Sequence, residues 1–278
     1  MTIGRTGRFQ RGKVVPRCLR IDARRPSRHA AHASEENLDV VWNRQVRALT
    51  LTLRATDRWS QAHPGAMVGA IALQGVENPT REATLEVRAE QLRAELLQRL
   101  SGFDRAQLAS QPGVKAYVAY YKRFGKTYHL LLQLESILLK DKAIAAPNAL
   151  VLAMLMAEMK DMLLTAGHDL TAVQGNPVVD VADGTETYPS LGGRAEVLKK
   201  GDMLIRDDLG ILSSILYGPD QRTRIGPETE DVVYLVYGPP GVSLEAVEGH
   251  LADLEANVRL FSPNAELCAR QILVAANP

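Results

Sequence analysis

The chain has 278 residues, of which 46% are hydrophobic and 23% charged, with a formal net charge of +1. This is the composition of a soluble globular protein long enough for a substantial buried core. Its two cysteines, Cys18 and Cys268, form no CxxC pair and no Cys/His cluster, which excludes a disulfide framework and a structural zinc and points to a reducing cytoplasm.

Charge is unevenly spread. Residues 1–36 carry nine basic side chains against three acidic ones, whereas residues 37–278 carry 24 basic and 29 acidic. The opening stretch has no apolar periodicity and no secretory h-region, so it is predicted to be a basic, disordered extension. Residues 37–278 are predicted to form a single domain.

Within that domain, Leu49–Thr56 alternates like a strand, and Ala66–Leu73 is a short apolar run bounded by Pro64-Gly65 and Gly75, consistent with a buried strand. From Arg81 to Leu100, leucines 85, 92, 96 and 100 recur at helical spacing. Val114–Phe124 and Leu130–Lys140 read as two further helices, the second with Leu131, Leu134, Leu138 and Leu139 facing inward. Pro147-Asn148 opens another, running to about Leu164 and closing at Thr165-Ala166-Gly167. Glu158, Lys160 and Asp161 break this apolar run before it reaches the length of a bilayer span. Asp169–Gly175 is a turn.

Short strands follow: Val178–Val181, Thr187–Tyr188, Glu196–Leu198, Met203–Ile205, Ile211–Tyr217 and Val232–Tyr237. Leu244–Val258 returns to helix. Helices first and then a run of strands predict an α+β fold.

The chemistry-bearing residues are few. His168 and Asp169 fall after the predicted helix end, where the helix dipole favours a protonated imidazole. His168 there is a candidate general base or a filler of an aromatic slot; Asp169 is a candidate ligand contact or a turn former. Arg222-Thr223-Arg224 lies in a Gly/Pro-bounded loop, where two guanidinium forks suit phosphate or carboxylate and are otherwise solvated surface charge. Ser213 and Ser214 lack an adjacent His or a nucleophile elbow. Asp207, Asp208 and Asp220 suit turns better than a metal. No glycine pattern forms a phosphate loop, and no cofactor is expected. Tyr117, Tyr120 and Tyr121 interleave with Lys122, Arg123 and Lys126; aromatics inward and cations outward is the expected arrangement, giving a local surface suited to RNA.

Several segments, in this order, resemble the tRNA-binding B3/B4 domain of the phenylalanyl-tRNA synthetase β subunit. They are YKRFG (121–125), LESILLK (134–140), PNALVLAMLMAEMKDMLL (147–164), AGHDLTAVQG (166–175), and LIRDDLG with RTRIGPETEDVV (204–233). The resemblance spans about residues 50–262 and looks closest to a free-standing version of the domain. It implies a three-layer β-β-α sandwich, an aminoacylated tRNA acceptor end as partner, no membrane, and either hydrolysis of mischarged aminoacyl-tRNA or, as alternatives, a non-catalytic module binding RNA or an amino acid or a hydrolase of an unrelated small molecule; ligation of phenylalanine to tRNA is not expected from this chain alone. It further implies a pocket in which Gly167, Asp169, Arg222, Thr223 and Arg224 bind substrate, His168, Ser213 and Ser214 are the catalytic candidates, and Lys122, Arg123 and Lys126 hold RNA. Two positions depart from the family pattern. Ala166 stands where a pocket His is found, and Leu235 stands where a carboxylate would recognise a tyrosine hydroxyl, which a leucine does not reward.

Overall fold

The computed structural model describes residues 51–276. The predicted basic extension at 1–36 lies outside the described residues, as does the start of the strand predicted from Leu49.

Two sheets and a helical layer make an α+β, three-layer β-β-α sandwich. The first sheet has the order β11-β2-β10-β3, from β2 (Met67–Gln74), β3 (Leu164–Asp169), β10 (Asp231–Gly238) and β11 (Glu266–Val274), with every pairing antiparallel. The second has the order β1-β4-β7-β8-β9, from β1 (Arg54–Ala55), β4 (Val178–Val181), β7 (Met203–Arg206), β8 (Ile211–Ser214) and β9 (Gly218–Pro219). In it only β1 and β4 run parallel. A separate hairpin pairs β5 (Thr187–Pro189) with β6 (Ala195–Val197).

The outer face of the first sheet is covered by α6 (Ala149–Asp161) and α7 (Leu244–Arg259). Around them pack α2 (Ala83–Arg99), α3 (Arg105–Ala109), α4 (Pro112–Arg123) and α5 (His129–Lys140), while α1 (Asp57–Ala62) sits on β4. β2 and β10 are central and covered on both faces, which is why they are almost continuously apolar rather than alternating. Gly69 permits the approach of α7: a Cβ there would lie 2.9 Å from Val247 Cγ1 and 3.2 Å from Leu251 Cδ1. The inner face of the same sheet meets the second sheet, where Tyr237 Oη and Ser213 Oγ are 2.7 Å apart.

Most predicted elements are present, with differences at several places. The helix predicted to reach Leu164 stops at Asp161, because Met162 takes a left-handed conformation (φ 62°) and turns the chain straight into β3. Ala166–Asp169 are therefore strand, not a helix-terminal turn. Leu139 points to solvent at 66% exposure, although Leu131 and Leu134 are buried as expected. The short helices α1 and α3 and the edge strand β11 carry no strong pattern and were not predicted. Among the described residues no helix is long and apolar enough to cross a membrane.

Candidate functional site

β3, the edge strand of the first sheet, sets Ala166, Gly167, His168 and Asp169 opposite Leu235, Tyr234, Val233 and Val232 of β10. The loop 220–224, leaving β9, crosses from the second sheet to meet them: the Asp169 amide donates to the Thr223 carbonyl at 2.8 Å. His168 Nδ1 lies 2.7 Å from Thr223 Oγ1, and the Thr223 hydroxyl donates onward to Asp220 Oδ1. Since the single Thr223 proton is used on Asp220, Nδ1 must carry the imidazole proton and Nε2 a bare lone pair. That Nε2 is buried and has no hydrogen-bond partner among the described residues.

Burial, with the nearby Arg222 charge second, lowers the His168 pKa to about 3, against an opposing pull from Asp207. The expectation of a protonated imidazole at a helix end is thus corrected. No helix end is there, and the ring is neutral.

Arg222, with its side chain 31% exposed, turns its fork onto protein groups. Its Nη2 lies 2.9 and 3.0 Å from the two carboxylate oxygens of Asp207, its Nη1 donates to the Ala172 carbonyl at 2.8 Å, and its Nε is 3.5 Å from Asp220. The Asp207 carboxylate also accepts the amides of Gln174, Leu209 and Gly210, so it is the staple of a turn. Arg224 is exposed. Asp169 accepts from the Thr171 amide and hydroxyl and from the Thr229 hydroxyl, which is turn chemistry.

Ser213 and Ser214 are fully buried in β8 between β7 and β9. Ser213 is bonded to Tyr237, and Ser214 Oγ accepts the Tyr217 amide at 3.1 Å. Neither has a histidine as a hydrogen-bond partner. Gly167 is hemmed in: a Cβ there would meet Ile225 at 2.8 Å and Met154 at 3.0 Å. Ala166 and Leu235 stand directly opposite each other, both buried, as an apolar rung between the sheets. The catalytic candidates are thus all buried, and among the described residues no hydrogen bond joins His168 to Ser213 or Ser214.

A second constellation, not visible as a unit in the sequence, surrounds Tyr120. Tyr120 Oη donates to Asp202 Oδ1 at 2.8 Å and accepts the Met203 amide at 2.7 Å. Burial raises the Asp202 pKa to about 7, against contacts from Tyr120, Ser214 and the Leu216 amide and the charge of Lys126. The ring of His63 lies 5.8 Å from that of Tyr120, and burial, then Arg123, lowers its pKa to about 4.

Above this cluster lies a cationic surface. The α4 aromatics Tyr117, Tyr120 and Tyr121 point inward while Lys122 and Arg123 are exposed, as expected from their spacing. The Arg123 guanidinium sits 5.5 Å from the ring centres of Tyr120 and Phe124, and Lys126 Nζ sits 3.9 Å from that of the half-buried Tyr217. Lys199 donates to the Phe124 carbonyl, which brings Lys199 and its neighbour Lys200 to the same end of the fold.

A third group, Thr165, His250 and Asp161, has the hydrogen-bond order of a nucleophile–base–acid set, at 2.7 and 2.8 Å. Thr165 is only 4% exposed. The set ties β3, α7 and the end of α6 together beside Glu158, whose pKa burial raises to about 8. Two shallow grooves of about 420 and 190 Å³ share Leu92 and Lys160 on the helical face, and none of the candidate residues lines them.

No protein-family model matches this chain, and no curated protein matches it. Among solved structures, it is similar to an N-terminal fragment of the phenylalanyl-tRNA synthetase β-subunit from Pyrococcus horikoshii, at 12% identity and a TM-score of 0.42. The alignment covers 78% of this chain and 50% of that one, so the chain spans about half the length of the fragment it matches.

Proposed function

We propose that this chain is a cytoplasmic tRNA-binding domain that engages the acceptor end through the surface formed by Lys122, Arg123, Lys126, Lys199 and Lys200 around Tyr217. The observation that supports it is the juxtaposition of these cations with a partly exposed aromatic ring on a body that is otherwise net acidic. Cations beside an accessible ring suit a flexible strand whose phosphates pair with charge and whose unstacked bases lie on the aromatic. The sequence motifs that resemble the B3/B4 domain point to the same ligand.

Geometry favours binding over ester hydrolysis. His168 has a base-like tautomer, but its Nε2 faces no nucleophile among the described residues, and the rung at Ala166 and Leu235 is apolar. Equilibrium binding of tRNA across a salt series tests the proposal: contacts to three phosphates give a log–log slope of about −2. A flat response removes the phosphate-binding reading. Incubation with mischarged aminoacyl-tRNA tests hydrolysis separately, and the expected rate is that of buffer.

A further inference from the structure

Beneath the cationic surface, one buried carboxyl ties together the segments that carry it. Asp202 is fully buried. Its Oδ1 accepts the Tyr120 hydroxyl of α4 at 2.8 Å, and its amide closes a turn onto the Lys199 carbonyl at 3.0 Å. Ser214 and the Leu216 amide also bear on the carboxyl and favour its charge, and Ser214 Oγ in turn accepts the Tyr217 amide. The three segments so joined present Arg123, Lys199 with Lys200, and Tyr217. The Arg123 guanidinium lies 5.5 Å from the centre of the Tyr120 ring, so one tyrosine separates it from the carboxyl. Lys126, seated on the Tyr217 ring, acts on Asp202 through its charge. A carboxylate held away from water is costly, so whether it ionises depends on the charges around it.

We propose that Asp202 regulates RNA binding by this surface: when its carboxyl ionises, the buried charge opposes the phosphates held by the cations above it, and the complex weakens. The inference rests on the RNA-binding reading above and names how that site is controlled. Burial raises the Asp202 pKa to about 7, so the carboxyl changes charge within the neutral range. The titratable groups packed around it do not. Burial holds the phenols of Tyr120, Tyr121, Tyr188, Tyr217 and Tyr237 above their usual range. Burial, then Arg123, lowers the His63 pKa to about 4, so that ring is neutral too. The charged neighbours are Arg123 and Lys126, with Glu196 of the hairpin 3.8 Å from Arg194. Below pH 7 an RNA strand therefore meets the cations over a mostly neutral acid; above pH 7 it meets them over an anion. By reciprocity, bound phosphates favour protonation of Asp202, and the complex takes up a fraction of a proton.

The test is equilibrium binding of the full chain to tRNA at pH 6 and pH 8 and fixed ionic strength. The tRNA is dephosphorylated at its 5′ end so that the ligand itself does not titrate. Wild-type affinity is expected to fall about 5-fold between the two. Asp202→Asn keeps an acceptor for Tyr120 without the charge, and is expected to bind at pH 8 as the wild type does at pH 6. Tyr120→Phe removes a bond that favours the carboxylate, and is expected to move the midpoint of the fall to higher pH. Comparing variants with the wild type cancels histidines elsewhere in the chain, His29 and His32 among them. Calorimetry of the wild type in two buffers of different ionisation enthalpy is expected to show uptake of about 0.3 proton at pH 7, a readout that needs no variant to fold. Salt-dependent binding that is equal at both pH values, with no proton uptake, overturns the role of Asp202 and leaves the cationic surface standing. A folded Asp202→Asn with the wild-type pH response, or with weak binding at both pH values, overturns it too. Absent or salt-independent binding at every pH overturns the RNA reading and this inference with it.

Discussion

His168 Nδ1 and Thr223 Oγ1 meet at 2.7 Å across the two sheets, and the Thr223 proton is already committed to Asp220. The relationship sets the imidazole tautomer and fastens the loop after β9 onto β3.

It also predicts acid sensitivity. The His168 pKa is lowered on folding from 6.5 to about 3, so the unfolded chain binds the extra proton first. Stability from this group is complete above about pH 6.5 and is lost as pH falls towards 3, by on the order of 4 kcal/mol in total. His63, lowered to about 4, acts in the same direction. Urea denaturation across this range is expected to show the decline, and His168→Phe to flatten it. A wild-type curve without slope between pH 6.5 and 4 contradicts the buried neutral imidazole.

Glu158 has the opposite sign. Its pKa is raised to about 8 in the fold, so its contribution is complete below the unfolded value near 4.5 and declines as pH rises through 8. Glu158→Gln keeps an acceptor for the Thr165 amide, which Glu158 Oε1 now holds at 2.7 Å, and has no charge to bury. The variant is expected to gain on the wild type progressively between pH 5 and 9, as read from the difference in denaturation midpoints. Parallel curves for the two proteins would rule this out.

The two loop arginines are expected to behave differently. Arg222→Ala removes the main cationic partner of the buried Asp207 and is expected to cost about 2 to 4 kcal/mol, somewhat below the full cost of breaking a buried pair because Arg222 is 31% exposed. Arg224→Ala, at an exposed position, is expected to change stability by less than about 0.5 kcal/mol. Equal, small effects from both substitutions in chemical denaturation contradict the structural role given to Arg222.

Much of the fold was legible because local pattern and tertiary context agree in it. The Ala66–Leu73 run reads as a doubly covered strand and is one, and the leucines of α2 keep helical spacing because that helix has one buried face. β3 was misread because an apolar run leads into it from α6 and the reversal occurs at Met162, a residue with no turn signature. β11 owes its existence to pairing with β2, far away in the chain, and its own alternation is weak. The α4 cations were legible since their helical spacing separates them from the buried tyrosines. The His63–Tyr120–Asp202 cluster was not, because its members come from α1's C-cap, a helix and a loop that only the packed sandwich brings together.

Charge reversal of the α4 surface tests the account most directly. Lys122, Arg123 and Lys126, all replaced by Glu, are compared with the wild type in tRNA binding across a salt series, with thermal melts to confirm folding. The account predicts weaker binding by at least ~100-fold at low salt and a log–log slope shallower by about 2. A folded triple variant that binds tRNA with unchanged affinity and slope contradicts it.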